Sequence, residues 1–220
     1  MRHQYLAANN SQVWKYRHKG YPIGWMLSPA GGYRNPIRDG VTMPYAVDNG
    51  MFYPFGGEPK GMKDIETFYT FLRRVNESGV PPMFVTVVDA PYDAARTREL
   101  FPKHQRHARE IMPGVRIAMA VQDGMTFDDL DMIEGPGCVF IGGSTEWKWK
   151  TMRGWVEEAK RRGLWSHVAR VNTIRRIRQC VDAEAETSDG TGIWRGDKKQ
   201  LRGVLDGLTE GHLFLSREQE

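Results

Sequence analysis

Three aspartates, each ending a short run and each followed at once by turn residues, constrain the fold of this chain more than any other feature. They are Asp48 in Pro44-Tyr-Ala-Val-Asp-Asn-Gly50, Asp89 in Phe84-Val-Thr-Val-Val-Asp-Ala-Pro91, and Asp189 in Thr187-Ser-Asp-Gly-Thr-Gly192. An apolar, β-branched run that stops at an acid and then at Gly or Pro reads as a buried parallel strand entering its following loop. In α/β barrels all such strand ends share one face, and that face carries the chemistry. Three carboxylates on one rim suit acid/base or nucleophilic work on a polar substrate. An Asp in this place is also a common N-cap for the next helix, so each of the three carries that second reading.

The rest of the chain alternates in the same sense. Tyr21 to Ser28 reads as a first strand, followed by a Gly/Pro/Arg-rich loop from Pro29 to Gly40. The strand at Tyr45 to Val47 leads into an aromatic-rich loop, and residues 63–78 carry Ile65, Phe68, Phe71, Leu72 and Val75 at helical spacing before Gly79. A helix over about 93–112 follows the Phe84 strand, a strand and turn read at Arg116–Gly124, and further strands read at Cys138–Gly143 and Ser166–Asn172. Thr126 to Asp129 has a capping pattern. Helices read over 148–162 and 173–183. About seven strand–helix units in series predict one α/β domain over residues 1–220, a compact or incomplete (β/α)8 TIM-type barrel. A doubly wound sheet is the alternative; no GxGxxG follows the first strand, which weakens a dinucleotide site.

Composition narrows the class. With 40% hydrophobic residues, 220 residues can bury a substantial core. A net charge of +4 allows a nucleic-acid partner without demanding one. The N-terminus has no apolar leader, and no stretch approaches the ~18 apolar residues of a membrane span. Cys138 and Cys180 lack the paired spacing of a zinc site, and the six histidines form no HxH or HExxH pattern. The expectation is a soluble cytoplasmic protein (host cytoplasm if viral), with free buried thiols and neither metal nor cofactor.

Taken in order, these motifs resemble the queuine tRNA-ribosyltransferase (tRNA-guanine transglycosylase) superfamily, most nearly its DNA-acting, phage-type branch, which inserts 7-deazaguanines into DNA. Asp48-Asn-Gly-Met-Phe52 stands where that family has Asp-Ser-Gly-Gly-aromatic, with Met51 in place of the second Gly. Val87-Val-Asp-Ala-Pro91 matches a strand ending in a base-gripping Asp, and Tyr92, Arg96, Arg98 and Arg109 give the next helix the family's character. Val121-Gln-Asp-Gly124 and Ile141-Gly142-Gly143 match two later strand ends. Asp189, with Arg195 six residues on, matches the nucleophile and its basic neighbour. The likeness covers roughly residues 22–195, and the family's three-Cys, one-His zinc subdomain is absent.

The resemblance implies exchange of guanine in DNA for a 7-deazaguanine such as preQ0, with tRNA as the alternative polymer. It implies Asp189 as nucleophile and Asp48 as proton donor and acceptor. Asp89 would accept from the N1/N2 edge of the base, while the Gln122 amide and a backbone N–H of Gly142 or Gly143 would serve O6. Asn49 and Phe52 complete the base site, Phe52 by stacking. For the polymer, Lys148 and Lys150 beside Trp147 and Trp149, with Arg175 and Arg176, suit phosphate contact and stacking. Arg170, Asn172 and Arg195 belong to the same rim. The target nucleotide has to be flipped out or single-stranded. A barrel glycosidase or a non-catalytic nucleic-acid-binding protein would share parts of this pattern, and the oligomeric state is left open.

Overall fold

Residues 3–51, 65–191 and 201–209 are described in a computed structural model of the chain. Phe52 and Arg195, two of the expected site residues, lie outside the described residues. The strands are β1 (Gln4–Ala8), β2 (Ile23–Leu27), β3 (Ile37–Arg38), β4 (Val41–Thr42), β5 (Tyr45–Val47), β6 (Phe84–Thr86), β7 (Arg116–Val121), β8 (Gly137–Ile141), β9 (Trp165–Val168) and β10 (Thr187–Gly190). The helices are α1 (Val13–His18), α2 (Ile65–Glu77), α3 (Ala94–Ile111), α4 (Thr145–Arg161) and α5 (Ile174–Asp182), and residues 201–209 are also helical.

All strands but β3 and β4 close into one parallel barrel in the order β1-β10-β9-β8-β7-β6-β5-β2, with β2 pairing back onto β1. The doubly wound alternative is thereby excluded. The barrel fits into so short a chain because two crossovers lack an α-helix. The β3–β4 hairpin stands between β2 and β5, and a 3-10 segment, Phe127–Met132, between β7 and β8.

The strand expected first, at Tyr21–Ser28, is the second one. Gln4–Ala8 precedes it and pairs with both β2 and β10, so it is the strand that closes the ring. The period-two alternation of the strands sorts their side chains into two layers. Leu6, Ala46, Phe84, Ala118 and Cys138 pack inside the barrel, whereas Tyr5, Val47, Val85, Ile117 and Val139 pack outward against the helices. Both cysteines are buried and free. Among the described residues no helix is long and apolar enough to cross a membrane.

Candidate active site at the C-terminal rim of the barrel

The strands deliver their C-terminal residues to one cavity of about 160 Å³. Its lining takes Met26 from β2, Asp48 and Asn49 after β5, Thr86 from β6, Asp89 and Tyr92 beyond it, and Gln122 after β7. Phe140, Gly142, Gly143, Ala169, Arg170 and Asp189 also line it. Asp48, Asp89 and Asp189 therefore do meet in one place. None of them caps a helix: Asp93 caps α3, Ser144 caps α4 and Thr173 caps α5.

The three carboxylates sit in different surroundings. Burial, with the charges of Asp189 and Asp89, raises Asp48 to about 7, against the pull of the Gly50 and Asn49 N–H groups. Burial raises Asp89 to about 6, opposed by the Asn49 side chain. Asn49 Nδ2 donates to Asp89 Oδ1 at 2.8 Å and to the Val87 carbonyl at 2.7 Å, while its Oδ1 accepts from Met51 N–H at 2.8 Å. Its amide is thus committed to fixing Asp89.

Asp189 is held through a single oxygen. Oδ1 accepts from the Arg170 N–H at 2.8 Å and lies 3.2 Å from His167 Nε2. His167 is fully buried inside the barrel, its ring stacked on Phe140 and tilted against Phe84. Its Nδ1 lies 2.8 Å from Thr187 Oγ1. Arg170 has a left-handed backbone, φ +57°, and so does Tyr92, φ +67°. Such φ values are uncommon for residues other than Gly and gather at functional sites. The two touch: Arg170 Nη1 donates to Tyr92 Oη at 3.3 Å, and Arg170 Nη2 donates to the Gly143 carbonyl. This clasp joins the loops after β6, β8 and β9 at the cavity.

Several expected site residues have partners within the chain. Gln122 Nε2 donates to Ala90 O at 2.9 Å and Thr97 Oγ1 at 2.6 Å, and Oε1 accepts the Tyr92 N–H. It fixes the loop that carries Asp89. The Gly142 N–H bonds to Val121 O at 2.9 Å, which leaves only Gly143 of that pair for the ligand role. Lys148 is 1% exposed and donates to Ala169 O, so it supports the Arg170 loop from beneath and makes no phosphate surface. Burial, then the Arg170 charge, lowers its ammonium to about 8. Asn172 accepts the Thr191 N–H at 2.8 Å and ties two loops together.

The remaining basic and aromatic residues divide. Lys150 and Arg175 are exposed, and the Arg176 guanidinium covers the Trp149 ring at 4.1 Å. Trp147 is half-buried against Trp155. Arg98 pairs with Asp129, and Arg109 donates to the carbonyls of Glu134 and Pro136, so both brace α3 against the β7–β8 crossover and not the site. Sequence reasoning does not single out Thr86 or His167. The one available signal is a polar residue at an inward position of an otherwise apolar strand.

No family model and no curated protein matches this sequence. Among solved structures it is similar to a tryptophan synthase complex from Pyrococcus furiosus at 17% identity and a TM-score of 0.50, over 95% of this chain and 94% of that chain. A tryptophan synthase from M. tuberculosis aligns over 76% of this chain and 79% of that one, at 10% identity and a TM-score of 0.41. The first likeness supports the fold. The fold is a TIM barrel, consistent with an enzyme, and it leaves the chemistry to the residues of the rim.

Proposed function

We propose that this protein is a transglycosylase that exchanges guanine in DNA for a 7-deazaguanine through a covalent aspartyl–sugar intermediate. The observation that carries this reading is the pairing of carboxylates in unlike surroundings in one cavity. Asp189 has one oxygen held by the Arg170 N–H and set 3.2 Å from His167 Nε2, while Asp48, raised to about 7, holds a proton near neutral pH. Unlike environments for neighbouring acids are how acid and nucleophile roles are divided.

In the first half-reaction Asp189 attacks C1′ as the C1′–N9 bond breaks. The bonding pair leaves with guanine, which takes a proton from Asp48. In the second, the incoming base gives its proton to Asp48, its ring nitrogen bonds to C1′, and the Asp189 ester bond breaks. Asp89 accepts from the donor edge of the base, and Gly143 supplies a backbone donor to its oxygen. A cavity of about 160 Å³ is small beside the ~300 Å³ floor of drug-sized pockets and suits a flat base better than a whole nucleotide. Arg170, Lys150, Arg175 and Arg176, with Trp147 and Trp149, are assigned to the polymer.

The test is nucleoside analysis of DNA and tRNA from cells that express the chain and are supplied with preQ0, beside the Asp189→Asn variant. Deazaguanine in DNA from the wild type alone is the expected result. Its appearance only in tRNA would move the substrate, and its absence from both would remove the activity.

A further inference from the structure

We infer that Thr86 is a ligand-reading residue, its hydroxyl reserved for a hydrogen bond to the heterocycle bound in the cavity. Thr86 is 1% exposed, and its Oγ1 is buried with no hydrogen-bond partner. It also lines the cavity. Buried hydroxyls are nearly always paired, because stripping one of water without replacement is costly, so an unpaired one on a residue that lines a cavity calls for a partner from outside the chain.

The position follows from strand geometry. Phe84 and Thr86 share the inward face of β6, and Phe84 lies below, against His167 in the barrel interior. Val85 pairs with Val47, so Thr86 and Asp48, the next residues on β6 and β5, stand side by side at the rim. Asp89 follows three residues later on the same chain. A ligand lying between the two acids therefore passes over the Thr86 hydroxyl. Threonine is the β-branched residue that keeps strand preference while adding one donor and two acceptor sites. Valine has the same shape and would satisfy β6 equally well if packing were the only demand. The hydroxyl thus meets a ring nitrogen or exocyclic oxygen of a planar heterocycle, and assigning that heterocycle as a purine-type base rests on the function proposed above.

Two substitutions test this. Thr86→Val removes the hydroxyl and keeps the shape; Thr86→Ser keeps the hydroxyl. Affinity for guanine and for preQ0 is measured by calorimetry, and Tm by thermal unfolding. The expected pattern is binding weakened roughly tenfold to a hundredfold in Thr86→Val, retained in Thr86→Ser, with a Tm in Thr86→Val equal to or above that of the wild type. Unchanged affinity in Thr86→Val, beside normal binding by the wild type, would overturn the inference and leave the proposed function standing. A Tm lowered by several degrees in Thr86→Val would also overturn it, since the hydroxyl would then have its partner within the protein. Failure of the wild type to bind either base would remove this inference together with the base-exchange reading.

Discussion

His167 holds Asp189 from inside the barrel: its Nε2 lies 3.2 Å from the same Oδ1 that accepts the Arg170 N–H at 2.8 Å. Among the described residues no hydrogen bond occupies the other oxygen, Oδ2, which a nucleophile needs unencumbered. Replacing the imidazole with a ring that cannot hydrogen-bond, His167→Phe, keeps an aromatic ring against Phe140 and Phe84 and deletes the anchor. A lost buried hydrogen bond to a charged group is worth about 1–3 kcal/mol. Covalent adduct formation, followed by rapid quench in a single turnover, is expected to slow roughly tenfold to a hundredfold. An unchanged rate would confine His167 to packing.

Asp48 ties both activity and stability to pH, and both decline as pH rises through its titration. In the proposed role of proton donor, with its value raised to about 7 chiefly by burial, it should let exchange fall as pH rises above neutrality. The folded state also holds that proton more tightly than the unfolded chain, where a carboxyl titrates near ~3.9. The stabilisation this provides is complete below about pH 4 and is lost as pH climbs through 7. Asp48→Asn carries no charge at any pH. The variant should lose at least roughly a hundredfold in exchange, while at pH 8 it gains about 1–3 kcal/mol over the wild type, a difference that closes near pH 4. Thermal unfolding at both pH values checks the sign; a gain in Tm larger at pH 4 than at pH 8 would refute it.

Asp89 separates recognition from chemistry. Asn49 and its own backbone N–H keep it oriented, and Gln122 holds the loop that follows. In Asp89→Ala the base loses its acceptor, and calorimetry should give roughly tenfold to a hundredfold weaker binding of free base. Affinity equal to that of the wild type would sink the assignment.

The limits of the sequence are visible in particular residues. The barrel was legible because Tyr45–Val47, Phe84–Thr86, Arg116–Val121 and Gly137–Ile141 are buried, mostly apolar strands whose burial leaves little choice of structure. Strand β1 was not, because Gln-Tyr-Leu-Ala-Ala has weak β-propensity and gains its conformation from pairing with β2 and β10. The aspartates were found because strand ends concentrate at one rim. The tasks of Gln122 and Lys148 were not, since nothing local says whether a polar side chain faces a ligand or its own backbone. Gln122 is spent on Ala90, Tyr92 and Thr97, and Lys148 on Ala169.

Gly190, next to Asp189, is a packing requirement. A Cβ there would collide with Tyr5 Oη and the Val171 carbonyl and come within 2.6 Å of Asn172 Oδ1. The carbonyl cannot move without shifting the loop that carries Arg170. Gly190→Ala should therefore cost about 1–3 kcal/mol or more, lowering Tm by roughly 2–4 °C per kcal/mol in a domain of this size. A Tm within a degree of the wild type would show that the loop yields freely.

The polymer surface gives the last expectation, and Lys148 supplies its control. Arg175 and Lys150 are exposed, near the N-terminal ends of α5 and α4, which a barrel places on the same side as the cavity. If they contact phosphate, Arg175→Ala and Lys150→Ala should each weaken binding to DNA of any sequence and lower the salt slope by about one unit. Affinity for free base should not change, because neither residue lines the cavity. Lys148→Ala should do the reverse: leave the salt slope alone and lower Tm, because it empties a buried stem and leaves the Ala169 carbonyl without its donor. Salt titrations on the three variants, by fluorescence anisotropy with labelled single-stranded DNA, decide between them. Parallel slopes for wild type, Arg175→Ala and Lys150→Ala would reject this surface, and a slope reduced in Lys148→Ala would return that lysine to the interface.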